Sequence, residues 1–169
     1  MTPSFSARID SLIQAMDDIV LPAIEADKSL AREQGQLVVA HLNLMKKQLA
    51  HADDFDRIEL AAAVQLGLRL LELTTADPGV ASDRQALQAA ISEGKSLPGR
   101  QDAIRAVNGA TESFVRALRQ RGERSSIDAM TRAVLALSQE QSRRNLIWFA
   151  SNGFDAERDS LPSIESLFA

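Results

Sequence analysis

Asp18-Ile-Val-Leu-Pro-Ala-Ile24, followed after a short polar turn by Ser29-Leu-Ala-Arg-Glu-Gln-Gly-Gln-Leu-Val-Val-Ala-His-Leu-Asn-Leu-Met-Lys-Lys-Gln-Leu49, is the stretch whose reading decides the fold. In its second part Ala31, Gly35, Val38, Leu42, Met45 and Leu49 alternate steps of four and three, the spacing of a packed helical seam. Leu30, Leu37 and Leu44 widen that stripe, so a helix from about Ser29 to Ala50 should contact two neighbours. Gly35 costs the helix roughly 1 kcal/mol against Ala, which marks a place where another helix approaches closely. Upstream, Phe5, Ile9, Leu12, Ile13, Met16, Ile19, Val20 and Ile24 share one helical face, with Ser4 or Ser6 as its cap. Pro22 removes one helical hydrogen bond and disfavours helical geometry at Leu21, so this first helix is expected to kink or break there. Asp27 or Ser29 is the expected cap of the second helix.

Four more helices follow on the same criteria. His51-Ala-Asp-Asp-Phe-Asp56 reads as a polar turn before a third helix from about Arg57 to Thr75. Its middle, from Leu60 to Leu71, is apolar nearly all round, as in a helix central to its bundle or buried in an oligomer interface. Asp77-Pro-Gly79 is a turn, and Ser82 with Gln85 caps a short fourth helix ending near Gly94. Leu97-Pro-Gly-Arg100 breaks the chain before a fifth helix to Arg121, whose inner face is Ile104, Val107, Thr111, Phe114, Val115 and Leu118, with Gly122 as its stop. A sixth helix, capped by Ser125 or Ser126, runs to about Ser151 and stops at Asn152-Gly153. The whole predicts an all-α fold: a single-domain antiparallel bundle of about six helices over residues 1–153. Residues 154–169 form a C-terminal tail whose apolar finish, Ile164, Leu167 and Phe168, allows a short terminal helix.

Composition agrees. Aromatics are 4% and Tyr is absent, while Ala, Leu, Gln, Arg and Glu, the helix formers, dominate. At 169 residues one domain buries about two-thirds of its unfolded surface. A net charge of −4 argues against a general affinity for nucleic acid. Acids outnumber bases before residue 100, and arginines outnumber acids from 100 to 144, so the two parts can attract within a chain or between copies. No signal peptide is visible and no apolar run approaches the ~18 residues of a membrane span, so a soluble cytoplasmic protein without membrane contact is expected.

Chemistry is harder to find. With no Cys and two His, thiolate chemistry is excluded and a metal site is not expected. Neither His41 nor His51 follows a Glu by three residues, as a bundle dimetal site requires. His51 with Asp53, Asp54 and Asp56 lacks the Gly and terminal Glu of a calcium loop and reads as a solvated turn favouring a helix N-terminus. Phosphate-binding glycine loops and nucleophile elbows are absent, so no catalytic residue and no cofactor is expected. Glu112–Arg116, Asp128–Arg132, Glu140–Arg144 and Asp102–Arg105 have helix-pair spacing, leaving Arg119, Arg121 and Arg124 without a local acid. The sixth helix breaks one rule. Ile127, Met130, Val134 and Leu137 set a seam that continues through Gln141, Arg144 and Trp148, and an Arg on a seam needs a partner. Either the helix leaves the core at Gln141, or Arg144 and Trp148 line a pocket or interface. Together with His41, beside the second-helix seam, they are the candidate binding residues.

The kinked helix ending Val20-Leu-Pro-Ala-Ile24, followed by a second helix with Arg32 and Ala40-His-Leu-Asn-Leu44, resembles small all-helical bacterial proteins of unknown function. Those are encoded beside aminoglycoside-phosphotransferase-like kinases and acyl-CoA dehydrogenases. The resemblance spans Asp18 to about Leu71, with Arg32, Asn43, Glu59 and Leu66-Gly67-Leu68 its better matches, and residues after about 80 add nothing. It implies an accessory role near those enzymes and carries no catalytic residues over. The expected function is therefore an interaction or accessory protein that forms homo-oligomers or binds a partner enzyme. The alternative is a binder of a small acyl or organic acid between bundle helices, with Arg144 or His41 at its polar end.

Overall fold

The computed structural model describes residues 2–94, 96–150 and 160–168, and among them every regular element is helical, as the composition predicts. α1 (Phe5–Ala15) passes into a π-helical segment (Met16–Val20) and a last turn, α2 (Leu21–Ala23). There follow α3 (Ser29–Leu49), α4 (Ala52–Leu73), α5 (Ala81–Gly94), α6 (Arg100–Arg121) and α7 (Arg124–Phe149), with 3-10 turns at Pro78–Val80 and Ile164–Leu167. The predicted helix stop at Asn152-Gly153 lies outside the described residues. The chain divides into two compact units, Met1–Ala52 with Arg144–Ala169, and Asp53–Arg143.

In the first unit Ser4 caps α1, its hydroxyl accepting from the Ala7 N–H at 3.2 Å. Pro22 kinks the helix without ending it at once. The missing N–H is accommodated one turn earlier, where the helix widens and the Leu21 N–H bonds to the Met16 carbonyl. Helical geometry then persists to Ala23, and Ile24 turns extended. Arg32 donates to the Ile24 carbonyl at 3.0 Å and ties this turn to α3. Gly35 does mark a close approach: a Cβ there would lie 2.6 Å from Leu21 Cδ2. α3 starts after Lys28 with no side-chain cap, so neither Asp27 nor Ser29 fills that role. Its expected seam is split. Gly35 and Leu44 are buried and Leu42 half-buried, whereas Val38, Met45 and Leu49 are 46%, 53% and 45% exposed. Lys46 pairs with Asp10 at 2.6 Å, and Gln48 donates to the Trp148 carbonyl at 3.0 Å.

In the second unit α4 to α7 surround Leu70, Leu87, Ile91, Val107, Phe114, Leu118 and Met130, each at most 1% exposed. The inner face expected for the fifth helix is the one α6 buries. α4 begins a turn earlier than expected, because Asp53 and Asp54 favour the positive end of its dipole. The acids of that turn are engaged: Asp53 pairs with Arg100, Asp56 accepts from Gln101, and Asp54 pairs with Arg57 at 3.0 Å. Thr111 is buried and its hydroxyl has no hydrogen-bond partner among the described residues.

Asp77, 3% exposed, joins the two turns at one end of this unit. Its carboxylate accepts from the Gly79 N–H at 3.0 Å and from the Glu123 N–H, 46 residues on, at 2.8 Å. Ser126, expected as a cap, instead sits in the first turn of α7 and hydrogen-bonds to Asp77. The packing is tight enough to require glycine. A Cβ on Gly79 would collide with the Arg121 carbonyl, and one on Gly122 would stand 2.6 Å from the Leu118 carbonyl. The Glu123 N–H holds the Asp77 carboxyl below the ordinary carboxylate range, against the upward pull of burial and with help from Ser126 and Gly79.

Asp77 and Thr111 give three expected effects on stability. Asp77→Ala is expected to cost on the order of 1–3 kcal/mol in urea unfolding, since it orphans buried donors. Because the folded carboxyl has the lower pKa, the unfolded chain takes up the proton first. Wild-type stability therefore contains a contribution that is full above the ordinary carboxylate range, begins to fall as the pH enters that range and is lost only below the lowered pKa of the folded carboxyl; Asp77→Asn lacks that component. Thr111→Val, which keeps the shape and deletes the unsatisfied hydroxyl, is expected to raise stability by about 1 kcal/mol. A loss of stability in that variant would mean the hydroxyl has a partner.

Candidate binding groove

The residues singled out in the last helix belong to different units. Gln141 is exposed in the Asp53–Arg143 unit and donates to Glu59 at 3.2 Å. Arg144 is half-buried and Trp148 buried in the other unit, where the Trp148 carbonyl receives Gln48. His41 sits on an exposed face of α3. The seam of α7 runs inward through Ile127, Met130, Val134 and Leu137, lapses at Gln141, and resumes at Ile147 and Trp148. The lapse falls where α7 passes from one unit to the other, between Arg143 and Arg144.

The Asp53–Arg143 unit has instead an open groove between α4 and α7, about 890 Å³ in volume. α4 contributes Ala61, Val64, Gln65, Leu68 and Leu73; α7 contributes Ala129, Ala133, Ala136 and Leu137. Both walls repeat at helical spacings of three and four, and small alanines stand where bulky side chains would fill the space. Leu68 is left 46% exposed as a result. The all-round apolar character of this helix thus divides between a core face, Ala63, Gly67, Leu70 and Leu71, and a groove face.

The Gln141–Glu59 hydrogen bond sets the two helices antiparallel, which brings Arg132 level with Arg69 and Glu72 at one end of the groove. Arg69 and Glu72 pair with each other at 2.6 Å. Arg132 was expected to pair with Asp128, but Asp128 takes Arg124 at 3.3 Å. The reason is local: an Arg in the first turn of α7 faces the positive end of the helix dipole, and Asp128 offsets it. Arg132 makes no ion pair among the described residues. Elsewhere Glu112 pairs with Arg116 at 2.8 Å, Asp102 with Arg105, and Arg121 is held by both oxygens of Asp83 at 2.9 and 2.8 Å. The groove is therefore a largely apolar channel with Arg132 and the Arg69–Glu72 pair at one end.

No group of three or more His, Asp and Glu side chains placed to hold a metal ion occurs among the described residues. None of the described helices is long and apolar enough to cross a membrane. Compared with family models, with curated proteins and with solved structures, the chain matches none.

Proposed function

We propose that this chain is a helical interaction protein whose α4–α7 groove receives one amphipathic helix of a partner. The observation that carries the proposal is the groove itself: two helical walls with apolar residues at matching three- and four-residue spacing and nothing bulky between them. Such a surface suits a helix presenting apolar side chains at i, i+3 or i+4, and i+7. Arg132 adds a preference for a helix with an acidic residue at one end, since a guanidinium grips a carboxylate through two parallel hydrogen bonds. An accessory protein of a kinase or an acyl-CoA dehydrogenase, the class implied by the resemblance, would use such a face, and those enzymes are the partners to try first.

A medium-chain carboxylate is a second candidate occupant. The volume lies within the range of small-molecule sites, about 300–1,000 Å³, and the same guanidinium would meet the acid group. The two are separable. Helical peptides selected against the full chain should carry the spacing above with an acid, and Ala133→Trp should weaken them by about tenfold or more while leaving the melting temperature unchanged. Arg132→Gln should weaken acid-bearing peptides a few-fold and neutral ones not at all. Peptides that bind Ala133→Trp as well as wild type would end the groove proposal. A melting temperature raised by dodecanoate and unmoved by the selected peptides would favour the small acid.

A further inference from the structure

Arg69, Glu72 and Arg132 line the same end of the α4–α7 groove. We infer that the Arg69–Glu72 pair decides which partner that end accepts. Arg69 occupies the Glu72 carboxylate, so Arg132 is left to grip one acidic residue of the partner helix. This rests on the helix-in-groove reading and deepens it, naming Arg69 as a positioning residue and a single acid as the charge the partner must bring.

Helix stability does not account for the pair. Glu72 stands in the last turn of α4, which ends at Leu73 and has no basic residue in that turn. A carboxylate there faces the negative end of the helix dipole and weakens the helix. The order is also the poorer one, since an acid supports a helix best when it precedes its base. The contact is 2.6 Å long, but the two side chains are 51% and 69% exposed, and a pair so exposed adds little to folding. What the pair does set is the charge of the groove end.

Glu72 has two candidate counter-ions there, Arg69 three residues away on its own helix and Arg132 on the facing wall, and it takes Arg69. Asp128, four residues before Arg132, takes Arg124. Arg132 thus keeps its fork of donors for a carboxylate from outside. Arg69 and Arg132 against Glu72 leave one positive charge at this end. One guest acid cancels it. A guest with two acids in that turn would set a surplus negative charge beside Glu72, and a guest with none would cover the Arg132 charge without a partner. Without Arg69, Glu72 would satisfy Arg132 across the groove, and the end would offer a guest acid no net attraction.

The test uses the full chain and helical peptides selected on its groove, each made with the acid as Glu and as Gln. Wild type should bind the Glu form more tightly. Arg69→Gln should abolish that preference, a change of about threefold to fivefold, and leave the affinity of the Gln form unmoved. Glu72→Gln should enlarge the preference, and the two substitutions together should return it to the wild-type value. Both positions are exposed, so unchanged melting temperatures are expected. A readout without peptide comes from the Arg132 Nε–H resonance, which should move in Arg69→Gln and move back in the double variant. A preference that Arg69→Gln leaves intact, or that the double variant does not regain, overturns the inference; the groove reading then stands if the peptides still lose affinity for Ala133→Trp. Peptides that bind Ala133→Trp as well as wild type remove the groove reading, and this inference falls with it.

Discussion

The Asp77 carboxylate is the interaction on which the geometry of the Asp53–Arg143 unit depends. It accepts from Gly79 in its own turn and from Glu123 at the head of α7, so it fixes the α4–α5 connection against the α6–α7 connection. Burying a carboxylate is unfavourable by several kcal/mol unless its oxygens are satisfied. Here backbone N–H groups and the Ser126 hydroxyl do this, and the lowered pKa shows that they outweigh the desolvation. The glycines at 79 and 122 allow the turns to approach closely enough for those bonds to form. Because α4 ends and α7 begins at this point, the same contact sets the spacing of the two helices whose separation makes the groove.

The helices themselves were legible in the sequence, since three- and four-residue spacing with caps and Pro-Gly breaks is a local property. The inner face of α6 was legible for the same reason: Val107, Thr111, Phe114 and Leu118 have polar residues around the rest of the helix. What spacing cannot show is which neighbour covers a row. On α3 the seam read from the sequence includes Val38, Met45 and Leu49, which the structure leaves exposed, while Leu44, taken as a flanking residue, is buried. Ion pairs raise the same difficulty. Asp128 has an arginine four residues away on either side, and only its position relative to the helix start favours Arg124. The Asp77 contact joins residues 46 apart, so the sequence announces a turn at Asp77-Pro-Gly79 and nothing about its partner. The groove was hidden differently, because alanine reads as a helix former and its second meaning, missing bulk, emerges only when two such rows face each other.

The α4–α7 groove has Arg132 beside the Arg69–Glu72 pair and walls of small residues, which suit a guest that comes and goes. The pair Arg144 and Trp148 lies outside the groove lining. Its mixture of burial and charge marks the place where one helix serves two cores in succession, and a seam that must change faces is read as a broken one.

A π turn holds one residue more than the α turn it replaces. Met16–Val20 therefore stores a single residue of slack between the α1 row and Leu21, the side chain seated on Gly35. Chains descended from the same ancestor should tolerate loss of one residue there, the segment tightening to α-helix while both contacts persist. One residue lost or gained elsewhere in α1 would turn Phe5 and Leu12 by about 100° around the helix relative to Leu21. Length differences among relatives should therefore gather at this one turn and spare the rest of the helix.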